Sequence, residues 1–227
     1  MPMDLNRIRW CAAHRDAIID SGKLWSGQDV FIQHLGLKLM PRYYPLKPVE
    51  YAARMDILAA SVLNTKDAEE GLAPVLWSSL GQNIWSQFLS DRINTLRKVV
   101  NQQNFSACPQ VGRSIAGCGP GLTPSSDDFL VGLFASLYSS LERDTAKELC
   151  LGLAEGAVPA TGSVSAGFIE SGARGYFSED ILHLAAAFFD TKTLDDLPLL
   201  ADNLCRLGST SGPDTMTGFY FGLTVTL

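Results

Sequence analysis

Between Gly117 and Leu141 the chain reads GCGPGLTPSSDDFLVGLFASLYSSL, and its opening part gathers Thr123, Ser125, Asp127 and Asp128 among Gly117, Gly119, Gly121, Pro120 and Pro124. Glycine opens backbone dihedrals that other residues avoid and proline fixes φ, so this loop is expected to hold one shape and to present bare N–H groups. A rigid loop of donors at a helix start can hold phosphate or carboxylate. Two more polar loops offer hydroxyls, one with Thr161 and Ser165, the other with Ser211 followed by Asp214. Arg174, between glycines in GARG, is a candidate for bidentate contact with a carboxylate or phosphate, as is Arg113 before the first loop; both fit a solvated surface equally.

Other chemistries lack their residues. There is no phosphate-binding GxxxxGK[ST] loop, no dinucleotide fingerprint and no GxSxG nucleophile elbow. His14, His34 and His183 stand apart with no ligand spacing, so neither a metal nor another cofactor is expected.

The central and final loops share a pattern. Ser125, Asp128 and Gly132 recur as Ser211, Asp214 and Gly218, an S-x-x-D-x-x-x-G spacing repeated 86 positions later, with small residues following at Ser136 and Gly222. Each copy sets an aspartate and a glycine on one helical face, where two backbones can approach closely. Two readings stand: a shared cleft with both aspartates near one another, or the coincidence of two ordinary helix starts.

The elements that would position these loops are mostly helical. Apolar residues at 129, 130, 133, 134, 137, 138 and 141 form a stripe of helical spacing, with Ser125 read as the N-cap and Asp127 at the stripe's edge, in need of a partner. Helical spacing also marks 49–63, a long tract over 72–101 with a possible break at Gly81, and the segments after Asp144, before Gly175, after Ser178, around Pro198 and from Ser211. Before these, residues 3–21 suggest a first helix, 23–39 a β-hairpin built from VFI and LGLKL, and PRYYPLKP an extended linker. The expected fold class is therefore mainly α (α+β). An N-terminal region, 1–48, with a candidate hairpin and Pro-rich linker, precedes a helical domain, 49–227, that carries the polar loops.

With 18 basic and 24 acidic residues the net charge is −6, which gives no field for nucleic acid. No apolar run approaches the ~20 residues of a membrane span, the start is too polar for a signal peptide, and five scattered cysteines suit reduced thiols, so a cytoplasmic protein is expected.

The run GCGPGLTPSSDDFLVG, with TGSVSAGFIESGARGYFSE and LGSTSGPDTMTGFYFGL, resembles the hallmark of a bacterial family whose named member is the AllH-type subunit of oxamate carbamoyltransferase. The family pattern usually has Gly where Ser126 stands and His where Ser209 stands. The resemblance implies a carbamoyltransferase subunit of ureide breakdown that handles a small carboxylate- or phosphate-containing ligand beside other protein subunits. Asp127, Asp128 and Asp214 would then act on the substrate's reacting end, with Gly119, Gly121, Thr123, Ser125, Thr161, Ser165, Arg174 and Ser211 binding it. The alternatives are a non-catalytic anion-binding or scaffolding subunit, and loops that merely cap helices.

Overall fold

The computed structural model describes residues 18–20, 23–25, 36–41, 43, 46–189 and 194–226. Among these described residues there are nine α-helices, α1 (Pro48–Leu63), α2 (Ile84–Asn101), α3 (Cys108–Ile115), α4 (Ser125–Ser140), α5 (Arg143–Ala157), α6 (Ser163–Ala173), α7 (Glu179–Phe189), α8 (Leu197–Cys205) and α9 (Ser211–Val225). Two short antiparallel pairs join them: β1 (Ile18–Asp20) with β2 (Lys23–Trp25), and β3 (Lys38–Leu39) with β4 (Tyr176–Phe177). The fold is mainly α, with a hairpin near the N-terminus, as the sequence predicts.

The hairpin's position differs from expectation. It pairs Ile18–Asp20 with Lys23–Trp25, so residues 18–20 of the helix expected over 3–21 are strand and the rest of that helix lies outside the described residues, while Lys38 and Leu39 pair with Phe177 and Tyr176 far along the chain. The VFI stretch falls outside the described residues. The expected long helix over 72–101 is also divided: short 3-10 turns occupy Ala73–Val75 and Ser78–Leu80, Gly81 turns the chain at φ 80, and α2 begins only at Ile84. Asn83 explains that start, because its side chain accepts from the Ser86 N–H while Ser86 Oγ accepts from the Asn83 N–H, a reciprocal cap.

Helices α4 and α9 form the centre. From Ser125 to Ser139 every residue of α4 except Val131 is buried, so this helix is enclosed on nearly all faces rather than along one stripe. Its polar residues tolerate burial by turning back on their own backbone: Ser136 Oγ donates to the Leu133 carbonyl and Ser139 Oγ to the Ala135 carbonyl, each at 2.7 Å.

The two helices run parallel with their starts together and meet through the predicted small residues. A methyl at Gly132 would lie 1.9 Å from the Thr215 carbonyl oxygen, and one at Gly218 would lie 1.9 Å from the Phe129 carbonyl oxygen. Since 129 and 132 become 215 and 218 on adding 86, the same contact is made twice about a local two-fold axis. Further along, Gly222 faces Ser136.

The other helices wrap this pair. Arg54 on α1, buried, donates through Nη1 to the Ala187 and Phe188 carbonyls at the end of α7, where cations suit the helix dipole. The β3–β4 pair continues into Met40, fully buried, whose N–H donates to the Gly175 carbonyl at 2.7 Å.

Candidate functional site

The loop ahead of α4 owes its path to three left-handed glycines, Gly117, Gly119 and Gly121, at φ 78, 134 and 87. Asp127 fixes it. Its Oδ1 accepts from the Gly117 N–H at 2.8 Å and its Oδ2 from the Thr161 hydroxyl, which ties loop, helix and the turn before α6 together. The partner that the sequence demanded for Asp127 is thus two loops at once. Beside it, Ser126 Oγ accepts from the Cys118 N–H at 2.9 Å, and the Ser126 N–H donates to the Cys118 carbonyl at 3.0 Å. Ser165 Oγ reaches the Leu122 carbonyl at 3.4 Å.

Pro124, not Ser125, holds the N-cap position, and no side chain caps α4. Pro124 supplies the extended residue before the helix and its carbonyl accepts from the Asp127 and Asp128 N–H groups. The Ser125 hydroxyl is thereby released and faces Thr210 Oγ1 at 3.5 Å. With Ser126 also paired, the N–H groups of Ser126, Asp127 and Asp128 are engaged within the protein.

Replacing Asp127 with alanine is expected to leave the Gly117 N–H and the Thr161 hydroxyl without their acceptor, at a cost of about 2–4 kcal/mol. Urea unfolding and limited proteolysis within 117–124 measure it; unchanged stability and cleavage would deny Asp127 this tethering role.

Asp128 and Asp214 sit on facing helix starts and trade partners across the axis. The Asp128 carboxyl lies against the Ser211 and Thr123 hydroxyls, and Asp214 against those of Ser125 and Thr210. Asp214 is fully buried, with Oδ1 accepting from the Leu72 N–H at 2.6 Å, and Gly71 leaves room for it, since a methyl there would stand 2.3 Å away. In both residues Oδ2 is buried without a hydrogen-bond partner. Burial pushes the Asp128 carboxyl up to about 7 against its Ser211 and Thr123 contacts, and the charges of Asp214 and Asp127 add to the rise. Burial likewise raises Asp214 to about 7, against the Leu72 N–H and the Ser125 and Thr210 hydroxyls. The two aspartates are neighbours, as the shared-cleft reading requires, but they are not equivalent.

A cavity of about 230 Å³ opens on Asp128 alone. Thr123, Asp128 and Ser211 line it beside Val131, Phe168, Ile181, Leu204 and Leu207. Asp128 is 9% exposed, and its Oδ2 is buried without a hydrogen-bond partner. Asp214 stays behind the helix pair. Thr161, Ser165 and Asp127 shape the loop from its other side, Gly119 packs close to the Ser125 N–H, and Gly121 stands exposed at the crest beside Leu122. Arg174 is exposed and lines a separate hollow with Glu155 and Glu170. Ser209, exposed, lines neither.

Sequence reasoning missed the apolar wall and the Gly71–Leu72 turn behind Asp214, because these residues come from distant elements. A larger cavity of about 540 Å³, with Tyr43, Tyr51, Phe189 and Tyr220, lies at the far ends of α4 and α9 and holds no predicted site residue.

These features define a helical protein with a pseudo-symmetric central helix pair, two buried acids at its paired starts and one small cleft. Residues 115–223 match the model of the family described as oxamate carbamoyltransferase subunit AllH, so this stretch is similar to that family. No solved structure matches the chain. Among the described residues no helix is long and apolar enough to cross a membrane.

Proposed function

We propose that the chain works as a carbamoyltransferase subunit and that the Asp128 cleft receives the amide end of a small carboxylate- or phosphate-bearing ligand. The observation that carries this reading is Asp128 on the lining of the cavity, its carboxyl nearly buried and its Oδ2 without a hydrogen-bond partner. A carboxylate there accepts an amide N–H, and the Thr123 and Ser211 hydroxyls are placed to donate to the neighbouring carbonyl oxygen, where negative charge grows as a nucleophile adds. The ligand's charged end would lie toward the mouth, near Gly119 and Gly121. Other subunits would complete the reaction, in the cytoplasmic breakdown of ureide nitrogen that the family suggests.

One observation favours a second reading, a subunit that binds its ligand without turning it over. Among the described residues no Lys, Arg or His lines the cleft, and the Ser126, Asp127 and Asp128 N–H groups of α4 are already paired, so these residues offer little to an anion.

Purified protein, alone and with the co-encoded subunits, is assayed for carbamoyl phosphate formation from carbamoyl-oxamate and for the reverse reaction. Calorimetry with oxamate runs alongside. Binding is expected in the wild type and to weaken at least roughly tenfold in Asp128→Asn, since a charge-assisted acceptor is lost. Unaltered affinity in that variant would remove Asp128 from the site. Oxamate binding with turnover that Asp128→Asn leaves unchanged in the presence of the partners decides for the second reading.

A further inference from the structure

We infer that the ligand of the Asp128 cleft carries an apolar body: an amide- or carbamoyl-bearing molecule whose aliphatic or aromatic substituent fills the cavity behind its polar head. This rests on the reading of Asp128 as the amide acceptor and adds the substrate class.

The cleft's exposed lining is mostly apolar. Beside Thr123, Asp128 and Ser211, with Ser178, Asp180 and Thr215 as further polar groups, stand Val131 of α4, Phe168 of α6, Ile181 of α7, Leu204 of α8 and Leu207 just after it. The charged side chains on the lining are both acidic, Asp128 and Asp180. A compact, wholly polar acid seated at Asp128 would leave those walls to water, whose ordering in an apolar hollow has few polar partners to support it. An apolar substituent removes that surface from water instead, and the affinity gained scales with the area covered. Among the described residues the walls carry no cation, so discrimination among ligands falls mainly to shape and to the Asp128 contact. Leu207 is 43% exposed at the rim, where the substituent would enter.

The test uses the whole protein and a series of primary amides, acetamide, butanamide and hexanamide, with hexanoate and oxamate for comparison, titrated by calorimetry. Affinity is expected to rise roughly fourfold per added methylene until the cavity is full, and hexanamide to exceed hexanoate at least tenfold. Leu207→Ser, at the exposed rim, should flatten the gain with length. An oxamate affinity that depends on Asp128 together with a flat amide series overturns this inference and leaves the proposed function standing. A series that climbs equally in the wild type and in Asp128→Asn defeats the amide contact itself, and both readings fall.

Discussion

Alanine at Gly132 is expected to destabilise the protein by about 4 kcal/mol or more, enough to leave a domain of ordinary stability largely unfolded. The sign is what makes this informative. In a free helix interior, glycine to alanine gains roughly 0.5–1 kcal/mol, because glycine loses more backbone entropy on folding. Here the new methyl would stand 1.9 Å from the Thr215 carbonyl oxygen and 2.8 Å from the Phe219 nitrogen, both backbone atoms of α9. No rotamer change relieves such a clash. The helices must separate, and with them go the contacts that bury Phe129, Leu133, Phe219 and Phe221. Gly218→Ala should cost about as much, since it meets the Phe129 carbonyl oxygen at the same 1.9 Å. Combining the two should cost less than their sum, because one separation relieves both clashes. Gly162, with nothing within 4 Å of an added methyl, is the control and should change stability by no more than about 1 kcal/mol. Urea unfolding of the four variants checks this; a Gly132→Ala protein as stable as the wild type would mean that the helices are not in backbone contact.

That contact was legible because it follows from local pattern. Ser-x-x-Asp-x-x-x-Gly places its members on one face of any helix, and a face of small residues has one common use, close approach. The same is true of the loop, whose glycines and prolines announce a fixed path. What the pattern could not reveal is direction. Asp127 and Asp128 are adjacent and chemically identical in sequence, yet one is tied off by Gly117 and Thr161 while the other faces a cavity. The difference lies in a 100° step around α4 and in which distant element happens to stand there. Likewise Ser125 looked like a cap because serine usually is one; Pro124 took that position and freed the hydroxyl for contact with α9. Lys38–Leu39 looked like half of a local hairpin, but its partner strand lies beyond α6, and no sequence window holds both. Arg174 drew attention by charge and by its flanking glycines. It follows the last turn of α6, and Gly175 turns the chain at φ 88 into β4, an exit that leaves the arginine in solvent.

The buried acids give the second large expectation, a stability that falls as pH rises from about 4 to about 7. Both carboxyls are raised from 3.8 to about 7 in the folded protein. Within that window the folded state therefore holds protons that the unfolded chain has released, and each retained proton makes stability decline with pH. The contribution is complete below pH ~4, is lost progressively through ~7 and is level above it. Each group can account for up to about 1.4 kcal/mol per pH unit while its two states differ, and a few kcal/mol in total. Ionising both acids is worse than ionising one, since Asp128 faces the charges of Asp214 and Asp127. Asp214→Asn isolates the effect. The amide keeps an oxygen for the Leu72 N–H, turns its nitrogen toward Ser125 and Thr210, and bears no charge at any pH. The variant should match or fall slightly below the wild type at pH 5, exceed it by about 2 kcal/mol at pH 8, and show a flatter profile between. Asp128→Asn should move the same way, so its loss of ligand would come from a folded protein. Wild-type stability that climbs from pH 5 to pH 8, with Asp214→Asn costing the same at both, would mean that these carboxylates are charged and content in the fold, and that the cleft presents an ordinary anion to whatever enters it.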